Sequence, residues 1–193
     1  MAVTVTKDMV ADVLRRVKEL TKSEVLIGIP EINAERQVEE GDEGPITNSA
    51  IGYIMEFGSP AKNIPARPFL IPGVEKMLPA GIARLKTAGE KALGGKKSDI
   101  EKELTRVGIL GQNAVRGTIS DGPFVPLAQS TIEARARRGR KGAQKYLAEQ
   151  ARIASLDHLG WTGTPADLSL VKPLIDTGQL RASVSFVVRQ KGK

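Results

Sequence analysis

From Met9 onward, apolar residues recur at helical spacing. Met9, Val10, Val13, Leu14, Val17 and Leu20 fall on one side, and Asp12, Arg15, Arg16 and Glu19 on the other. Thr6 supplies an N-cap hydroxyl and Asp8 a negative charge at the positive end of the dipole, so the pattern predicts an amphipathic helix over residues 6 to 21. The period then shortens. Val25-Leu26-Ile27-Gly28-Ile29 is a compact apolar run rich in β-branched residues and stopped by Pro30, which predicts a buried strand. Residues 47 to 57 return to helical spacing through Ala50, Ile51, Ile54, Met55 and Phe57. Gly58 ends that helix with a positive φ.

Beyond Pro60, Pro65 and Pro68, a further helix is expected to start at Phe69. Pro72 fits its first turn, and Pro79 should kink or break it near Leu78. Ile100, Leu104, Val107, Leu110, Ala114 and Val115 predict a long helix that ends at Ser120-Asp121-Gly122-Pro123. Within it, Gly108 and Gly111 mark a close crossing against another element. Lys145 to Leu156 predicts another helix. Near the end, Asp176-Thr177-Gly178 resembles a cap for one short turn through Leu180 and Arg181, after which Val184, Phe186 and Val188 alternate as in a strand. Helices with a small sheet make the fold class α+β, and 193 residues suit one domain with its own core.

Charge changes the picture more than composition does. The net charge is +7, yet the first fifty residues hold six basic against ten acidic side chains, leaving 23 against 12 for the rest. The acids crowd an expected exposed loop at about residues 31 to 44 that includes Glu39, Glu40, Asp42 and Glu43, with none of the alternation of a calcium loop. The bases crowd a second expected loop, Glu133 to Lys145, with Arg135, Arg137, Arg138, Arg140 and Lys141. Two uses of this polarity stay open. The acidic loop of one copy can meet the basic segment of the next, or the basic segment can face DNA phosphates without sequence preference. Only Tyr146 lies near the basic segment, which argues against base stacking.

Catalytic chemistry finds little support. The chain has no cysteine, which removes thiol catalysis and thiolate metal sites. Nucleotide-binding, serine-hydrolase and zinc-protease motifs are missing. His158 is the sole histidine and has no partners at motif spacing, so it reads as structural, and Trp161 as a packing anchor. Asp176-Thr177-Gly178 matches the tripeptide of aspartic proteases, but one copy near the end of a mostly helical chain does not fit that architecture. No cofactor or metal is expected. The opening residues Met1 to Asp8 carry no apolar signal core and no segment is long and apolar enough to span a bilayer, so a soluble, unsecreted chain is expected.

Two short cassettes remain. The first is Glu56-Phe57-Gly58 with Pro65-Ala66-Arg67-Pro68-Phe69-Leu70. Its prolines limit the entropy lost on docking, and Arg67 either pairs with Glu56 in its own chain or reaches a neighbouring copy. The second is Lys172-Pro173-Leu174-Ile175-Asp176-Thr177-Gly178-Gln179-Leu180-Arg181. The first resembles the hallmark of the tailed-bacteriophage neck and tail-completion family. The second, with Phe124-Val125-Pro126-Leu127 and Thr131-Ile132, is similar to the virion morphogenesis proteins of phage Mu and its relatives.

That resemblance implies a non-enzymatic virion component, assembled in the host cytoplasm and placed at the head-to-tail connection or the top of the tail. Identical copies would form a ring around the DNA channel and contact head-completion, connector, tail-terminator or tail-tube proteins. It implies a small antiparallel sheet packed by helices, with arms reaching neighbours. Glu56, Phe57, Gly58, Pro65, Arg67, Pro68, Phe69, Pro173, Leu174, Asp176, Thr177, Gly178, Leu180 and Arg181 would then lie at subunit interfaces. The basic insert at about residues 132 to 171 departs from the family pattern.

Overall fold

The computed structural model describes residues 10–37, 46–94, 97–157 and 164–191. Thr6, Asp8 and Met9, and with them the expected start of the first helix, lie outside the described residues, as do Glu39, Glu40, Asp42, Glu43, His158 and Trp161. In chain order the elements are α1 (Val10–Thr21), β1 (Ser23–Gly28), α2 (Asn48–Phe57), α3 (Leu70–Leu93), α4 (Lys97–Asp121), α5 (Gln129–Arg137), α6 (Lys141–Asp157), α7 (Gln179–Ser183) and β2 (Ser185–Gln190). Short 3-10 turns cover Glu31–Asn33, Pro60–Lys62 and Leu168–Val171. The fold is α+β. β1 and β2 come from opposite ends of the chain and pair antiparallel, with Leu26 opposite Val187 and Ile27 opposite Phe186.

The frame is the α3–α4 hairpin, against which the sheet packs through α4. Small residues permit the close approach. A Cβ on Gly73 would stand 2.7 Å from the Val115 Cα, and Cβ atoms on Gly108 and Gly111 would run into Phe186 and Ile27. The close crossing read from those two glycines is therefore the seat of the sheet. The main core gathers Phe69, Val115, Ile119, Leu174, Leu180 and Val184. Full burial of each large apolar side chain contributes about 1.5–3 kcal/mol, so this cluster ties the start of α3, the end of α4 and residues 174–184 together, with Ile27 and Ile29 partly buried against it.

Four expectations need correcting. β1 is not a buried strand: none of its residues is fully buried and Leu26 is 42% exposed, because a two-stranded sheet seated on α4 leaves its other face open. Pro79 does not end the third helix, because α3 runs unbroken through it to Leu93. Proline removes one helical hydrogen bond, and the long contact between α3 and α4 outweighs that local loss. The basic stretch from Glu133 to Lys145 is not a loop either. It is the end of α5, a tight turn at Gly139 with φ 80°, and the start of α6, which begins at Lys141 rather than Lys145. These helices close on a second apolar cluster of Ile132, Ala143, Tyr146 and Val171, so the insert carries its own small core. Finally, Glu56 and Arg67 do not pair with each other: each takes partners elsewhere in the chain.

Among the described residues no helix is long and apolar enough to cross a membrane, and no group of three or more His, Cys, Asp or Glu side chains is placed to hold a metal ion.

Candidate functional site: two braced cassettes

The first cassette is built around one carboxylate. Thr47 caps α2, its hydroxyl accepting from the Ala50 amide at 3.2 Å, and the helix carries Glu56 inward until only 7% of it is exposed. Glu56 Oε2 accepts from the amides of Phe69 (2.7 Å) and Leu70 (2.8 Å), and Oε1 from Ile71 (3.0 Å). These are donors of the first turn of α3, which no helical carbonyl can satisfy, and Phe69 at the N-cap offers no side-chain acceptor of its own. A negative charge at that end also complements the helix dipole. Glu56 is thus a cap delivered from another helix.

Between α2 and α3 the chain makes a closed hook. Gly58 adopts φ 77°, and a Cβ there would lie 2.9 Å from the Ala66 amide nitrogen and the Ile64 carbonyl oxygen. Ser59 and Ile64 exchange backbone hydrogen bonds at 2.8 and 3.0 Å. The Arg67 amide donates to Met55 O at 2.6 Å, which returns the chain to α2. The guanidinium of Arg67, only 6% exposed as a residue, donates to Val125 O (2.9 Å) and Pro126 O (3.0 Å). Burial lowers its pKa, and the guanidinium nevertheless stays charged. Phe69 is in the core, while Phe57, Pro65 and Pro68 face outward.

The second cassette is built around three arginines. Arg135 of α5 is 8% exposed and donates to the carbonyls of Lys172 (2.9 Å), Ile175 (3.0 Å) and Pro173 (2.9 Å). Asp176 receives Arg140 Nε at 2.9 Å, Arg138 Nη2 at 3.3 Å and Arg135 Nε at 3.6 Å. Burial pushes the Arg135 pKa down, Asp176 opposes that, and the neighbouring cations Arg138, Arg140 and Arg67 add to the depression. Asp176 is not the cap of α7. Gly178 with φ 82° occupies that position, and the Thr177 hydroxyl accepts from the Gln179 amide at 3.3 Å. Leu174 and Leu180 are buried in the core, Pro173 is partly buried, and Arg181 is exposed.

Part of the set singled out from the sequence therefore meets within one chain, in two groups, while Phe57, Pro65, Pro68 and Arg181 stay at the surface. Glu56, Gly58, Arg67 and Phe69 lock the hook to α3 and to the 125–126 strap. Arg135, Arg138, Arg140 and Asp176 lock the insert to the second cassette. Arg137 and Lys141 are exposed beside this second group.

Several braces were not foreseen. Arg116 donates to Ala182 O (3.0 Å) and Val184 O (2.8 Å), which ties α4 to the start of β2. Glu103 is buried on α4 between Lys91 (2.8 Å) and Arg106 (2.6 Å), with Arg84 at 3.6 Å. The Lys91 hydrogen bond, with help from Arg106, holds the Glu103 carboxyl below the usual carboxylate range against the opposing effect of burial. Helical spacing carried a signal for Arg135, which follows Ile132 by one turn on the buried face. The partners of Arg116 lie 66 and 68 residues away, and no local pattern announces them.

Surface apolarity is the other notable feature. Tyr53 and Phe57 are 67% and 59% exposed, one helical turn apart on α2, with ring centroids 4.9 Å from each other. On α3, Ile71, Leu78, Ile82 and Leu85 are also exposed. No family model, no curated protein and no solved structure matches the chain.

Proposed function

We propose that this chain is a non-enzymatic structural protein of a tailed-bacteriophage virion, a ring subunit of the neck or of the top of the tail. The observation that carries the reading is the exposed apolar surface of α2 and α3, headed by the Tyr53–Phe57 pair beside the braced hook. Aromatic side chains with this exposure are typical anchors of protein interfaces, and a rigid hook presents them at fixed geometry. A ring joins two different faces of each copy, so a patch of this kind on one face needs its complement on the next subunit. The motif resemblance in both cassettes points the same way. The aspartic-protease alternative loses ground because Asp176 is spent on three arginines.

Negative-stain images and mass measurement of the purified chain test the reading. Annular particles that disappear in Tyr53→Asp/Phe57→Asp support it. A second reading, a non-specific DNA-binding accessory protein, draws on the exposed Arg137, Lys141 and Lys145. A chain that stays monomeric with its assembly partners, and shifts duplex DNA with steep salt dependence, would favour that reading instead.

A further inference from the structure

A cleft of about 290 Å³ opens between the start of α2, the end of α5 and the second cassette. Its apolar lining includes Ile51, Met55 and Leu174, and its polar lining includes Asn48, Arg135 and Arg138. Asn48 is 4% exposed. Its Nδ2 donates to Glu35 O at 2.9 Å, which fixes the amide and leaves Oδ1 buried with no donor among the described residues. An orphaned buried acceptor costs about 1–3 kcal/mol, a penalty that an incoming N–H removes. Charge adds a second constraint. Arg135 and Arg138 stand against one carboxylate, Asp176, and most donors of Arg138 are not used by that single 3.3 Å contact.

We propose that this cleft binds an extended acidic peptide segment contributed by another protein chain. Its apolar side chain lies on Ile51, Met55 and Leu174, a main-chain N–H donates to Asn48 Oδ1, and the following carboxylate accepts from Arg138. The Asn48 acceptor decides between acidic ligands. The outward-facing phosphodiester backbone of duplex DNA has no proton to donate at neutral pH and gains nothing from an apolar floor, whereas a peptide supplies the donor, the apolar group and the anion together. The site stands whether or not the chain forms rings.

The probe is the peptide acetyl-Val-Glu-Glu-amide, titrated into the full chain with 13C-methyl methionine and 15N amide labels. Saturable shifts are expected at the Met55 methyl and the Asn48 side-chain amide. Arg138→Gln should weaken binding about tenfold, the loss of one charge-assisted hydrogen bond. Arg137→Gln, outside the cleft, should leave binding unchanged, and acetyl-Val-Gln-Gln-amide should bind as weakly as the Arg138 variant binds the acidic peptide. The proposal is overturned if the acidic peptide moves neither resonance, or if Arg137→Gln weakens binding as much as Arg138→Gln. It is also overturned if short duplex DNA, and not the peptide, shifts the cleft resonances. Neutralising Glu39, Glu40, Asp42 and Glu43 supplies a last check: if this alone moves the Met55 methyl and added peptide then has no effect, the cleft is filled from within the chain.

Discussion

The two cassettes solve the same problem, holding a proline-bearing turn against a helical frame, with opposite electrostatics. In the first, one carboxylate meets neutral donors: Glu56 accepts three backbone amides at 2.7 to 3.0 Å. In the second, one carboxylate meets cations: Asp176 is shared among Arg135, Arg138 and Arg140. Hydrogen bonds from amides to a buried charge are short-ranged and little affected by salt. A carboxylate shared by partly exposed guanidiniums is screened. The first cassette is therefore part of the fold itself, and the second is a joint between the core and the α5–α6 insert that conditions can loosen.

The sharpest way to break that contrast is Glu56→Ala. Removing the carboxylate strands three amides at a helix start, one buried and two partly buried, and we expect a loss of about 3–5 kcal/mol in a urea titration of the whole chain. A change under about 1 kcal/mol would mean that water replaces the cap and that the first cassette is no firmer than the second.

Next in size is Arg135→Met. It keeps the apolar stem but strands three carbonyls and weakens the hold on Asp176, for an expected cost of about 2–4 kcal/mol. Here the location of the effect matters more than its size. Amide hydrogen exchange should accelerate in α5 and α6 while α3 and α4 stay protected. Uniform acceleration would show that insert and core unfold as one unit.

A third carboxylate separates the two regions by pH. Glu103, within the α3–α4 frame, has its pKa depressed by Lys91 and then Arg106, so its contribution is complete above the unfolded value of about 4.3 and is lost as pH falls through the folded value. Acid should lower the unfolding midpoint of the native chain more steeply below that pH than it does for Glu103→Gln. Parallel profiles would remove Glu103 from the account. The smallest expected effect is that of Arg138→Gln, an exposed partner of Asp176, at under about 1 kcal/mol and vanishing in high salt.

Much of the frame was legible because it is local. The periodic runs of α1, α2 and α4, the stop at Gly58 and the alternation of β2 are written in neighbouring residues. The glycines at 108 and 111 announced a close crossing, though not that the sheet fills it. The failures share a cause. Pro79 carries a helix-breaking signal that the long packing of α3 on α4 overrides, and the arginines of α5 carry a loop-like charge signal that burial on Ile132, Tyr146 and Val171 overrides. The cassettes were recognised as units, but their wiring was not. Glu56 finds its amides 13 to 15 residues away and Arg67 its carbonyls 58 and 59 residues away, distances at which composition is silent.

Glu56, Arg67 and Asp176, the charged groups at the heart of the two cassettes, are bonded inside the chain, and on the proposed function assembly rests on the apolar faces of α2 and α3. Sedimentation velocity of the purified protein across a salt series tests this directly, because salt above about 1 M shortens the screening length to about 3 Å while leaving apolar contacts intact. The expected result is a multimer of the 20.7 kDa chain that persists or strengthens as salt rises and falls apart in Tyr53→Asp/Phe57→Asp. A multimer that dissolves on adding salt, or one indifferent to those two substitutions, would contradict it.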